Sequence, residues 1–291
     1  MPWRRFLEAN RAYLLLAPAL LILLLLFVGG VAAGVAQSFG YFPVIGLTRF
    51  TLYFYAQVLS DSSFLLSLWQ TFRIACWATL IPCGLAVVTA LALRESFPNS
   101  QIAKFVYQLP IPIPHLVAAN GMVLLLTQSG LFSRIALNLG LIDKAADFPV
   151  LVFDRPGIAT ILTFVWKEVP FIGLVVLAIL QSVGPQYEEI AKTLGANRWQ
   201  RFWYVLLPLI LPGIISTSII VFAFVFASYE IPLLLGVRYP TTLPVLAFET
   251  YQNPNLLVRP QAMAINVILM VISLLLLMAY RRLARYAVQR S

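Results

Sequence analysis

The sequence predicts an all-α membrane protein with six transmembrane helices, and three observations carry that expectation. Of its 291 residues, 61% are hydrophobic and 11% charged, against roughly half and a quarter in soluble domains. Six apolar runs each reach the about 20 residues that a helix needs to cross a hydrocarbon core. Proline recurs inside these runs at Pro18, Pro82, Pro170, Pro212 and Pro232. There it removes a backbone donor and bends the helix, which a bundle tolerates where the bend lines a cavity or packs on protein.

The first run, Ala12 to Ala36, is too long for a signal-peptide core and lacks a small-residue cleavage pattern, so it is expected to remain as a helix. Gly30 and Gly34 have the spacing that permits close helix packing. The stretch "SFGYFPVIGLTRFTLYFYAQVLSDSS" follows, rich in turn formers and aromatics, and reads as a cap at the outer interface. The second run, Phe64 to Leu93, holds Arg73, Cys76 and Cys83. At 1.5 Å per residue the cysteines sit about 10 Å apart along one helix, too far for a disulfide, and read as packing residues.

The third run, Phe105 to Gln128, carries "LPIPIPH" near its start. His115 there reads either as a proton relay or solute contact, or as a capping or interhelical hydrogen bond. The fourth run, Pro156 to Val183, contains Trp166, Lys167 and Glu168 in "TFVWKEVPFIGL". A central charge costs on the order of 2.5–3.5 kcal/mol on insertion scales and usually faces a bundle interior or water, so these residues are expected to line a pathway. Alternatively the span begins later and the pair is a snorkelling anchor at the outer interface.

The fifth run, Val205 to Leu235, ends on Tyr229 and Glu230 ahead of Pro232. A carboxylate and an aromatic ring at a helix break can meet a cationic ligand. Glu230 can equally pair with Arg238 or Lys167, and Arg73 either pairs with one of the buried acids or snorkels. The sixth run is Gln261 to Tyr280. With a single histidine in the chain and no acidic or thiol cluster beside it, no metal site is implied.

The formal net charge of +9 points to topology rather than to nucleic acid. Twelve Lys and Arg fall on the side shared by both termini and six on the other. Basic residues accumulate on the cytoplasmic side of short loops, so both termini are expected in the cytoplasm. The loop between the fourth and fifth runs lies on that side too.

That loop interrupts the oily chain with "YEEIAKTLGANRWQRFWYVLLPLILPG", Tyr187 to Gly213. Pro185 suits a first helical position. Tyr187, Ile190, Ala191 and Leu194 share one helix face, with Glu188, Glu189, Lys192 and Thr193 on the other. Gly195 is a natural stop because it adopts left-handed angles, and Asn197 with Gln200 forms a capping box for a second short helix. Surface anchors usually have a cationic polar face, and this one is mixed. The expectation is a helix whose apolar face packs on the bundle and whose charged face meets a protein.

Glu189, Ala191 and Gly195, then a gap of nine, then Val205, Leu207 and Pro208, resemble the loop signature "EAA, three residues, G, nine residues, I-x-LP". This is the signature of permease subunits of binding-protein-dependent ABC importers. Ile190 and Val205 depart from it, and both keep the apolar character. The similarity extends over most of residues 65 to 280, with Gln70 standing where Asn often precedes the Thr. It implies a type I importer (MetI-like) core with a cytoplasmic coupling helix. Residues 1–63 would form a tail, the first helix and an outer loop; 64–281 a five-helix core with the coupling loop at 184–204; and 282–291 a cytoplasmic tail.

The resemblance implies that Tyr187, Glu188, Glu189, Ala191, Lys192, Leu194, Gly195 and Arg198 couple to an ATPase. It implies two such ATPase subunits, a second permease that is identical or homologous, a periplasmic or lipid-anchored solute-binding protein, and a place in a bacterial inner membrane. The chain itself has no G-x-x-x-x-G-K-[ST] loop, and none of its four lysines follows a glycine, so it cannot cradle ATP phosphates in that way. ATP and Mg would be used by the partner, and no cofactor is expected on this chain.

An ion-coupled secondary transporter is the rival reading, weakened by the absence of an inverted repeat. An intramembrane enzyme lacks a nucleophile–base spacing. Within the importers, "PIPIPHLVAANGMVLLL" and the stretch after Tyr229 are most similar to the polyamine, ferric iron, thiamine and phosphonate group. Glu230 with Tyr229 tilts the expected solute to putrescine or spermidine rather than to thiamine, ferric iron, phosphonate or sugar.

Overall fold

The computed structural model describes residues 11–96, 101–184 and 186–289; Arg4, Arg5, Pro185 and Arg290 lie outside them. Among the described residues every regular element is helical, and six helical stretches, one of them the interrupted His115–Asn138, are long and apolar enough to cross a membrane. The chain divides into two compact units. One takes residues up to Asp61 together with Ala247–Ile268, and the other takes Ser62–Leu246 and the residues from Leu269 on.

In the first unit, α1 (Arg11–Ser38) exposes every side chain from Leu15 to Val28, as a helix must when its surroundings are hydrocarbon rather than protein. Its last turn is fixed by polar and aromatic contacts. The buried Ser38 hydroxyl donates to Val35 O and bonds the hydroxyl of Tyr55 at 2.6 Å. Tyr55 lies on α2 (Tyr53–Ser60), and its ring meets Phe39 at 5.1 Å between centroids. The Arg259 guanidinium stands 4.7 Å over the Tyr251 ring, a cation–π contact.

The second unit is built on α3 (Ser62–Ser96), α7 (Ile158–Val183) and α10 (Leu207–Ala227), each packed on the other two. Fully buried Ala75, Ala78, Ala86 and Ala90 give α3 a smooth face. Small residues let helix backbones approach where burial from water supplies no driving force. Phe164, Ile172 and Val176 of α7, with Ile210, Val221 and Phe226 of α10, fill the space between. The N-terminal end of α7 is held by the Asp154 carboxylate, which accepts the Ile158 N–H at 2.9 and 3.0 Å. Burial pushes that carboxyl up from the usual carboxylate range, against the pull of these backbone donors.

Two expected spans are not single helices. The third is α4 (Gln101–Gln108), a break, then α5 (His115–Leu126) and α6 (Leu131–Asn138). Pro110, Pro112 and Pro114 remove three donors in five residues, so no continuous helix can run from Phe105 to Gln128. The fifth begins earlier than Val205, at α9 (Arg198–Arg201), continues through a π turn at Phe202–Leu206 into α10, and breaks at Ser228. A separate short helix, α11 (Glu230–Leu235), then carries Pro232 in its first turn, where the missing N–H costs nothing.

Between α7 and α9 lies α8 (Gln186–Thr193). The chain is completed by α12 (Leu243–Tyr251) and α13 (Arg259–Gln289), the latter running well past the expected end at Tyr280. Ser218 of α10 and Tyr280 of α13 bond through their hydroxyls at 2.6 Å.

Candidate functional site: the loop after α7 and a charged cavity

The loop is a helix held between two left-handed glycines. Gly184 (φ +71°) ends α7 and Gly195 (φ +85°) ends α8, and a Cβ on either would meet nothing within 4 Å. Side chains are excluded at both positions by backbone angle alone. The C-terminus of α8 closes by Leu194 N–H donating to Ile190 O at 3.1 Å and Ala196 N–H to Ala191 O at 3.0 Å. The capping box ahead of α9 has both of its arms: Gln200 N–H donates to Asn197 Oδ1, and Asn197 N–H to Gln200 Oε1, each at 2.9 Å. The π turn follows, where Leu207 N–H reaches back to Phe202 O. It sits just ahead of Pro208, which can donate no N–H of its own.

The orientation of α8 corrects the expectation that its apolar face packs on the bundle. Tyr187, Ile190 and Leu194 are 55%, 59% and 82% exposed. Glu188 and Ala191 are the half-buried residues of the helix. Glu188 Oε1 accepts from Arg94 Nη1 at 3.0 Å, at the end of α3. An ion pair makes this contact, and the bulky apolar residues are left outward. Glu189, Lys192, Gly195 and Arg198 are exposed as well. Arg94 was not singled out in the sequence, because a lone basic residue at the end of a span reads as topology.

The second place of interest is a cavity of about 230 Å³ lined by Ile111, His115, Lys167, Glu168, Phe171, Ile220, Val221 and Phe224. Lys167 and Glu168 are only 4% and 8% exposed, in the first half of α7. This removes the reading of the pair as an outer-interface anchor. Lys167 has a structural partner: its Nζ donates to Pro110 O at 3.0 Å and to Ile113 O. The residue four beyond Pro110 is Pro114, which offers no N–H, so the ammonium supplies a donor that the proline run deleted.

His115 also faces the cavity, with its Nε2 buried and unpartnered and its ring 4.8 Å from Phe224. The other expected pathway residues do not line it, although Glu230 lies close enough to His115 to act on it electrostatically. Trp166, Tyr229 and Glu230 are absent from the lining, and Glu230 opens α11, where a negative charge suits the positive helix end. Among the described residues no ion pair joins Glu230 to Arg238 or Lys167. Arg73 pairs with neither acid; it donates to Gln70 Oε1 at 2.8 Å and to Arg155 O.

Residues 81–289 match the family described as binding-protein-dependent transport system inner membrane component. The chain is 28% identical over 211 residues to a probable sulfate transport system permease protein, cysT, of Chlorokybus atmophyticus, covering 71% of this chain and 69% of that one. It is 37% identical over 139 residues to the sulfate transport system permease protein CysW of Synechococcus elongatus, covering 46% and 45%. In structure it resembles a chain of a bacterial ABC transporter involved in import of the acidic polysaccharide alginate, with a TM-score of 0.80 at 18% identity over 98% of this chain and 99% of that one.

Proposed function

This chain belongs to the inner-membrane components of binding-protein-dependent transport systems, and from that premise we propose that it is the solute-passing permease of an ATP-driven importer. It is a multi-pass inner-membrane protein, and both termini are assigned to the cytoplasm by the charge distribution. The hydrolysing subunits would be two separate ATPases, with ATP and Mg bound there. A second permease and a solute-binding protein complete the assembly.

The observation that carries this reading is the exposed apolar face of α8. Tyr187, Ile190 and Leu194 stand outward on a helix jointed at both ends, an arrangement that is costly in water unless a protein covers it. Glu189, Lys192 and Arg198 ring this face and give polar contacts at its rim. Movement of the ATPases would then be delivered to the bundle through α8, and the cavity between α5, α7 and α10 would lie on the route of the solute.

For the solute, the sulfate permeases among the relatives support a small inorganic oxyanion. The polyamine expectation rested on Glu230 beside Tyr229, and neither lines the cavity. The reading is tested by reconstituting the chain with its ATPase, second permease and binding protein in liposomes. Uptake is expected with ATP and the ATPase together and absent when either is withheld; uptake driven by an ion gradient alone would overturn it. Thermal shifts of the binding protein across sulfate, other oxyanions, ferric iron, thiamine and polyamines decide the solute, and stabilisation by a polyamine alone would reject the oxyanion.

A further inference from the structure

The ion pair between Arg94 and Glu188 joins two elements far apart in sequence, the cytoplasmic end of α3 and the first turn of α8. Both side chains are half-buried, so the pair is screened less than a surface pair. Its setting gives it a mechanical meaning. The chain enters α8 through Gly184 and Pro185 and leaves it through Leu194 and Gly195, and both glycines are left-handed, with no neighbour that a side chain could touch. Such joints transmit rotation poorly, because glycine backbone is free to take up the angle change.

Adjacent carboxylates therefore have opposite destinations. Glu189 is exposed on the loop, while Glu188 is turned back to its own bundle. The helix that Arg94 terminates is the one packed along α7 and α10, so a pull on its end is felt by the whole second unit.

We propose that Arg94 and Glu188 are positioning residues that tie α8 to α3, so that displacement of the coupling helix is converted into displacement of the transmembrane core. The inference rests on the importer reading. Without the pair, α8 would still dock on its ATPase but would swing on its glycine joints, and ATP would be hydrolysed without solute moving.

The test uses the complete reconstituted transporter with R94E, E188R and the R94E/E188R exchange, reading uptake and ATP hydrolysis in the same liposomes. Each single reversal is expected to retain the ATPase on co-purification, to keep basal hydrolysis, and to lower uptake per ATP by roughly fivefold or more. The exchange is expected to recover most of the loss, as a direct pair does in a double-mutant cycle. E188Q, which keeps the shape and removes the charge, separates coupling from folding: it should lower uptake per ATP with an unchanged melting temperature.

Single variants with the wild-type uptake per ATP would overturn the tie, and so would an exchange no better than either reversal. Loss of ATPase co-purification in these variants would also overturn it, by making Glu188 a docking residue. The importer reading fails separately, if the unmodified chain shows no ATP-dependent uptake at all.

Discussion

Gly173 and Tyr107 show how one missing methyl group sets a junction. The Tyr107 hydroxyl bonds Thr89 of α3 at 2.9 Å and donates to Val169 O of α7 at 3.0 Å. A Cβ on Gly173 would come to 1.9 Å from that hydroxyl. Gly173→Ala is therefore expected to expel the hydroxyl from its partners and cost about 1–3 kcal/mol, read as a lower melting temperature in detergent. Lys167→Met should be more harmful, since it leaves both the Pro110 and Ile113 carbonyls without their donor, at about 1–3 kcal/mol for each unsatisfied group. Lys167→Arg, which keeps donors, should recover part of the loss in the same melt. The sequence made Lys167 conspicuous as a charge in an apolar run, but could not disclose its partners. Those partners are backbone carbonyls, which have no signature in side-chain identity.

At the scale of elements, the loop was legible because its signals are local. Gly195, Asn197 and Gln200 act within one turn of themselves, and the left-handed angle and both arms of the capping box appear as their spacing implies. The face of α8 that turns inward was not legible, since amphipathic periodicity fixes that a helix has two sides and leaves open which one the bundle takes. Exposure now sharpens the expectation. Leu194→Asp and Ile190→Asp should leave melting unchanged within a few tenths of a kcal/mol, because neither side chain is packed, while abolishing co-purification of the ATPase. Asn197→Ala should cost about 1 kcal/mol through loss of the cap, with transport falling more than docking. Retained ATPase binding in both aspartate variants would assign that face to lipid instead.

On the scale of the whole molecule, hydropathy located six membrane helices and misjudged two as continuous. The proline run before His115 and the break at Ser228 divide them; length and oiliness measure how much chain can cross and are blind to where the backbone is interrupted. Six spans put both termini on one side and the charge asymmetry predicts that side to be cytoplasmic, so tags at either end should be reached by protease only after the cytoplasmic face is opened; protection of one end alone would reject that topology. The π turn at Phe202–Leu206 bears on all of this. It stores one surplus residue between the loop and α10. Deleting a residue there would heal the turn into ordinary helix with little change of phase, whereas deleting one from the regular helix beyond it would advance everything upstream by about 100° and 1.5 Å. The membrane segments would insert as before, and α8 would point a different way, like a key cut correctly and filed out of phase.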